Sequence, residues 1–224
     1  AEHFDLKEFW HVGRDLPAGH RFADHMPANV WPDAEAPGFR AHLTALYAAL
    51  DQMGAAVLAA VARHLHLPDD WFEATVEDGN SILRLLHYPP TDGSGPNVRA
   101  AAHEDINVIT LLLGAEEGGL QLLDRETGDW LPVNPPAGSI VVNIGDMLQR
   151  LTNGVLPSTS HRVVNPAPER RGVARYSTPF FLHFASDFRI EALPGTTGAG
   201  RPDPLPPITA HDFLQERLRE IRLA

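Results

Sequence analysis

The sequence predicts a mainly β fold with flanking helices: a double-stranded β-helix (jelly roll) buttressed by a long helix and closed by a C-terminal helix. Three observations predict it. Short runs rich in β-branched and aromatic residues fill the chain from Ser81 to Phe184, each bounded by Gly- or Pro-containing turns. Before them, one long segment repeats its apolar residues at three- and four-residue steps, and the last segment does the same. Many short strands closed by turns suit two packed sheets, which limits exposed strand edges. At 224 residues and 43% hydrophobic content, one domain over residues 1–224 is expected, with a sizeable core.

Residues 1–38 are expected to be irregular, because Pro17, Pro27, Pro32 and Pro37 break any helix. Phe4, Phe9, Trp10, Phe22 and Trp31 are expected to pin this stretch to the core. From Phe39 to about His66, Leu43, Leu46, Tyr47, Leu50, Leu58, Val61 and Leu65 mark the inner stripe of a helix laid on a sheet. His64 and His66 stand two apart there and cannot face each other. A shorter helix is expected around Asp69 to Val76. The candidate strands are Ser81–His87, Ile106–Leu113, Leu120–Leu123, Asp129–Val133, Ser139–Ile144, His161–Asn165 and Tyr176–Phe184. Gly118-Gly119, Thr127-Gly128 and Pro135-Pro136-Ala137-Gly138 supply turns, and one helical turn is placed around Asp146–Leu151. The Gly- and Pro-rich stretch from Ala192 to Pro207 reads as a loop or flap. Thr209 then caps a helix whose Phe213, Leu214, Leu218 and Ile221 face inward.

The formal charge of −11 disfavours nucleic acid or an anionic membrane as a partner. Lys7 is the only lysine, so arginine carries the rest of the positive charge. With no cysteine, disulfides and thiolate metal sites are excluded. No apolar run is expected to reach membrane-span length and no signal peptide opens the sequence, so a soluble cytoplasmic protein is expected.

The chemistry-bearing residues begin with His103-Glu104-Asp105, followed 56 positions after Asp105 by His161. Two imidazoles and one carboxylate on one face of a divalent ion form the facial triad of non-haem Fe(II) oxygenases, which leaves the opposite face open. His103-x-Asp105 runs directly into the buried-strand pattern Ile106–Leu113. A second H-x-D, His3-Phe4-Asp5, has no strong strand after it and reads as a decoy. Glu104 and Arg162 neighbour ligands on strands and so point away from the metal. Farther on, Arg175 and Ser177 share one face of a strand while Tyr176 points away. A guanidinium grips a carboxylate through two parallel hydrogen bonds and a hydroxyl adds a third, so the pair suits the far end of a metal-chelating dicarboxylate.

The chain resembles the isopenicillin N synthase-like group of Fe(II)/2-oxoglutarate-dependent dioxygenases. The resemblance is carried by Leu83-Arg84-Leu85-Leu86-His87-Tyr88-Pro89-Pro90, His103-Glu104-Asp105, Asn143-Ile144-Gly145-Asp146, Thr152-Asn153-Gly154, Ser158-Thr159-Ser160-His161-Arg162-Val163 and Arg175-Tyr176-Ser177. It runs from about Lys7 to the end. It implies that His103, Asp105 and His161 hold Fe(II), that Arg175 and Ser177 hold the distal carboxylate of 2-oxoglutarate with help from the Tyr88 hydroxyl, and that O2 is the oxidant. The implied reaction oxidises an unactivated C–H bond of a small molecule by hydroxylation, desaturation or cyclisation, with succinate and CO2 as co-products. Two departures stand out. Leu86 occupies a position where many relatives carry Asn, and the family's N-terminal region is expected to be missing.

Other residues carry weaker signals. Asn143 and Asp146 flank Gly145 at a strand end, where capping and turn formation are their natural tasks. His183 shares the parity of Ser177 and is a candidate to touch substrate. Arg84 and Ile82 share a face with Leu86 and Tyr88 and are candidates for the substrate wall. Three rival functions remain. A 2-oxoglutarate-independent Fe(II) oxidase of the isopenicillin N synthase or ethylene-forming type would keep the same triad and Arg-x-Ser pair. A zinc- or manganese-using jelly-roll isomerase or hydrolase would leave Arg175-x-Ser177 without a task. A catalytically silent jelly-roll binding module would have no reason to keep three ligands.

Overall fold

The computed structural model describes residues 5–92, 97–114 and 118–221. His3 and Phe4, the first two residues of the decoy H-x-D motif, lie outside the described residues.

The first element is a strand, β1 (Glu8–Gly13), within a segment expected to be irregular. Trp10 and Val12 point inward on alternate positions, and the prolines that suggested an irregular stretch all come after Gly13. Helix α1 follows (Phe39–His64), ending two residues before the expected boundary, then α2 (Glu73–Val76), shorter than expected. The strands are β2 (Ile82–Tyr88), β3 (Ala100–His103), β4 (Ile109–Leu113), β5 (Leu120–Leu123), β6 (Trp130–Pro132) and β7 (Ile140–Ile144). Helix α3 (Asp146–Leu151) precedes β8 (His161–Val163), β9 (Arg175–Leu182), β10 (Arg189–Ile190) and β11 (Ile208–Thr209), and α4 (Ala210–Glu220) ends the described chain. Thr209 caps α4, its hydroxyl accepting from the Asp212 amide at 3.1 Å.

Two antiparallel sheets form the jelly roll. The larger has the order β1-β2-β9-β4-β7 and the smaller β3-β8-β5-β6; β10 and β11 make a separate pair. The larger sheet is two-faced because side chains alternate along each strand. Leu83, Ile109, Leu111, Phe180 and Leu182 face α1, whose Leu43, Tyr47, Leu50, Leu58 and Ala62 complete that core. Tyr47 meets Phe180 edge-on at 5.1 Å and donates its hydroxyl to the Ser81 carbonyl at 3.0 Å. At Gly54 a Cβ would stand 2.3 Å from Leu182 Cδ1, so any larger residue on α1 there would have to displace the Leu182 side chain. The other face turns toward the small sheet and encloses a cavity.

Contrary to the sequence expectation, α1 is long and apolar enough to cross a membrane by length and composition. Core helices of soluble proteins meet the same criterion, and the inward stripe of α1 is packed on β1, β4 and β9.

Candidate active site

The cavity between the sheets has a volume of roughly 250 Å³. The large sheet lends Arg84, Leu86 and Tyr88 from β2, Arg175, Ser177, Pro179 and Phe181 from β9, Thr110 and Leu112 from β4, and Val141 and Asn143 from β7. The small sheet lends Ala100, His103, Leu120, Leu122, His161 and Val163. On β2, β4, β5, β8 and β9 these lie two apart, the spacing that sends them to one face, whereas β7 contributes the consecutive Val141, Val142, Asn143 and Ile144.

His103 ends β3 and His161 begins β8, and the antiparallel register sets the two directly opposite each other. Their ring centroids are 4.4 Å apart. Asp105 lies just past β3 and is buried. One ligand atom from each of the three falls within 4.8 Å of the others, and His161 Nε2 is 3.8 Å from Asp105 Oδ1. The outer nitrogens are already engaged. His103 Nδ1 is 2.7 Å from the Ala101 carbonyl and His161 Nδ1 is 3.1 Å from the Thr159 carbonyl. Donation to those carbonyls fixes each tautomer and leaves both Nε2 atoms as acceptors, the arrangement usual for metal-bound histidine. Burial, then the neighbouring His161, hold the His103 imidazole below its ordinary pKa and so neutral, as a ligand must be.

The Asp105 carboxylate is divided. Oδ2 accepts from Thr110 Oγ1 at 2.6 Å and from Asn143 Nδ2 at 2.7 Å, which leaves Oδ1 beside the imidazoles. Thr110 and Asn143 are register partners on β4 and β7, and Asn107 Nδ2 reaches Thr110 Oγ1 at 3.1 Å. The turn is tied down as well: the Asp146 amide donates to the Asp105 carbonyl at 2.8 Å and the Gly145 amide to the Val108 carbonyl at 2.9 Å. Two mutually oriented imidazoles and one half-satisfied carboxylate fit a divalent ion with three protein ligands and open positions.

Across the cavity, Arg175 pairs with Tyr88 in the sheet register and Ser177 with Leu86. All four are buried. The Arg175 guanidinium carbon lies 5.1 Å from the Tyr88 ring centre. Burial lifts the Tyr88 phenol above its ordinary pKa, against the opposing pull of the Arg175 charge, so its hydroxyl remains a donor. The structure therefore brings all six sequence-selected residues, His103, Asp105, His161, Arg175, Ser177 and Tyr88, into one cavity.

Other placements differ. His183 does not line the cavity: β9 ends at Leu182, so the alternation stops one residue short of it. Its backbone amide donates to Ser81 Oγ at 3.1 Å, and burial pushes its pKa down to about 4. Arg84 does line the cavity, whereas Ile82 does not. Asn143 is more than a strand-end residue, as its bond to Asp105 shows. Its signal was an amide at an inward strand position, and Thr110 gave the same signal inside an apolar run. Glu104 turns away as expected, accepting from Ser160 Oγ at 2.8 Å and lying 3.7 Å from Arg125. Arg162 also points outward, over the Trp130 ring at 4.1 Å, and exposed Tyr176 stacks on His87.

Comparison with known proteins agrees with this geometry. The sequence model of the 2OG-Fe(II) oxygenase superfamily matches residues 79–184. A 2-oxoglutarate-Fe(II) type oxidoreductase from Aspergillus fumigatus is 35% identical over 96% of the chain and 65% of its own length. The chain thus spans slightly under two thirds of that relative. A crystal structure from Caulobacter crescentus, described as a 2OG-Fe(II) oxygenase family protein, is 65% identical with a TM-score of 0.91, covering 99% of this chain and 72% of its own. A full-length Neurospora crassa protein, crystallised in complex with alpha-KG, is 32% identical with a TM-score of 0.84, over 96% of this chain and 66% of its own. By sequence, by fold and by the residues gathered in its cavity, the chain belongs to the 2OG-Fe(II) oxygenase superfamily.

Proposed function

We propose that the protein is a non-haem Fe(II) and 2-oxoglutarate-dependent oxygenase of the isopenicillin N synthase-like group, acting on a C–H bond of a small molecule. One observation carries this reading: the His103–Asp105–His161 triad and the Arg175–Ser177–Tyr88 group face the same small cavity. His103 and His161 would hold the ion through Nε2 and Asp105 through Oδ1. Iron(II) bound there would supply oxidation of a C–H bond by O2, with 2-oxoglutarate consumed to succinate and CO2. Arg175 would hold the distal carboxylate of the co-substrate, with Ser177 and Tyr88 as hydroxyl donors beside it. The apolar walls, Leu112, Leu122, Val141 and Phe181, keep water out and orient the substrate. The Neurospora crassa protein has also been crystallised with thymine, which supports a small cyclic molecule as a size class for the substrate.

Leu86 favours a second reading, an Fe(II) oxidase independent of 2-oxoglutarate, because the residue opposite Ser177 offers no polar contact. Succinate formation separates the two. Anaerobically loaded protein, given oxygen and a panel of amino acids, small aromatics and other metabolites, should release succinate only with 2-oxoglutarate present. Arg175→Gln should raise the 2-oxoglutarate requirement at least tenfold while metal affinity stays within about twofold. Asp105→Ala should abolish both metal retention and turnover; full activity in that variant would falsify the assignment.

A further inference from the structure

A second guanidinium faces the cavity without a task in that scheme. Arg84 sits on β2 four residues before Tyr88, about 13 Å along the strand at the usual rise. Arg175 pairs with Tyr88, so the two arginines serve opposite ends of the chamber. The Arg84 side chain is held rather than loose. Its Nε donates to His11 Nε2 at 2.6 Å, and its guanidinium carbon lies 5.1 Å from the Phe9 ring centre and 4.8 Å from that of Phe181. His11 and Phe9 stack on one another on β1, so the guanidinium plane has support on one edge and from two rings.

What that clamp leaves over is the pair of terminal nitrogens. Among the described residues none donates to a protein acceptor, and no carboxylate forms an ion pair with Arg84. Other arginines do find acids: Arg14 with Asp51, Arg40 with Asp33, Arg63 with Asp69. Arg99, Arg150 and Arg162 also lack an acid partner among the described residues, but each donates to a carbonyl or amide oxygen, whereas the one acceptor Arg84 reaches is the His11 ring nitrogen. Asp105 is the one carboxylate among the described lining residues, and the metal site uses it. Lys7 also lines the cavity, but its ammonium is balanced by Asp5 at 2.7 Å, which leaves Arg84 and Arg175 against the single carboxylate of Asp105. The chamber is therefore cationic in an anionic protein. A partly desolvated guanidinium is best compensated by a planar anion that takes both terminal nitrogens.

We propose that Arg84 is the specificity anchor for the primary substrate, binding a carboxylate on a molecule whose apolar body lies against Pro179, Phe181 and Leu112. The clamp on Nε presents the remaining two nitrogens as a fork, and the walls between Arg84 and the triad take the carbon skeleton toward the metal. The inference rests on the oxygenase reading for the direction in which the substrate points, but not for the presence of the anion site.

The test compares acids with their neutral amides of the same shape: benzoate and benzamide, phenylacetate and phenylacetamide, cyclohexanecarboxylate and its amide. Each is titrated calorimetrically into anaerobic protein loaded with Fe(II) and 2-oxoglutarate, and into metal-free protein. At least one acid should bind about tenfold or more tightly than its amide. Arg84→Gln, which removes the charge but keeps a polar side chain, should erase that preference with 2-oxoglutarate affinity within about twofold. Arg84→Lys should keep part of it, an outcome that a merely structural role would not produce. Acids and amides binding alike in every pair overturn the proposal, as does a preference that survives Arg84→Gln. A tenfold loss of 2-oxoglutarate affinity in Arg84→Gln also overturns it, by assigning the residue to the co-substrate. If the native protein fails to bind Fe(II) and 2-oxoglutarate at all, the oxygenase reading falls, and the acid–amide comparison in metal-free protein still decides Arg84.

Discussion

Asp105 shows most clearly how single residues divide their labour. One oxygen is committed to Thr110 and Asn143, and the other is left for a metal. A carboxylate oriented in this way binds in one geometry instead of swinging between two. Asn143→Leu removes one of those donors at nearly constant volume, and metal affinity should fall about 10- to 100-fold; titration with Fe(II) or Co(II) checks it, and unchanged affinity would contradict this role for Asn143. The ligands themselves were legible in the sequence because their chemistry is rare: two histidines and an aspartate beside a strand. Arg175 and Ser177 were legible through their parity on a strand. Asn143 was not, because an amide next to a Gly-Asp turn has an ordinary job there, and only the β4–β7 register reveals its neighbour. His183 misled for the opposite reason. Parity holds only while a strand continues, and this one stops at Leu182.

At the scale of elements, the long helix and most of the strands followed from periodicity, with ends shifted by a few residues. β1 escaped because prolines downstream dominated the reading of the segment, and β3 because Ala100-Ala101-Ala102 carries no strand propensity. Pairing with β8 makes β3 a strand, a non-local cause that no window of sequence contains. The junction from β7 to α3 is the element on which the site depends most. At Gly145 a Cβ would meet the Asn107 carbonyl oxygen at 2.1 Å, and that carbonyl already accepts from the Met147 amide. Neither side can yield without moving the turn that carries Asp105. Gly145→Ala should therefore cost about 1–3 kcal/mol in chemical denaturation and weaken metal binding together. A variant as stable as the parent would show that the turn is softer than its contacts imply.

Over the whole molecule, His183 links stability to pH. Its pKa is pushed to about 4 by burial, below the ordinary 6.5, so the native protein binds fewer protons than the unfolded chain between those values. Its contribution is fully present above pH 6.5 and is lost as pH falls toward 4. The change is on the order of 3 kcal/mol. Urea unfolding across that range should show a shallower pH dependence for His183→Gln than for the parent, and parallel curves would remove His183 as the cause. The two histidine ligands belong to the small sheet, whereas Asp105 is braced by Thr110 and Asn143 of the large one. An ion seated among them rivets the two halves of the sandwich together, and the rivet must be drawn before the halves can part. At a hundredfold excess over its dissociation constant, such an ion adds about 2.7 kcal/mol. The melting midpoint should rise by roughly 5–10 °C on anaerobic loading and fall back when a chelator strips the ion away.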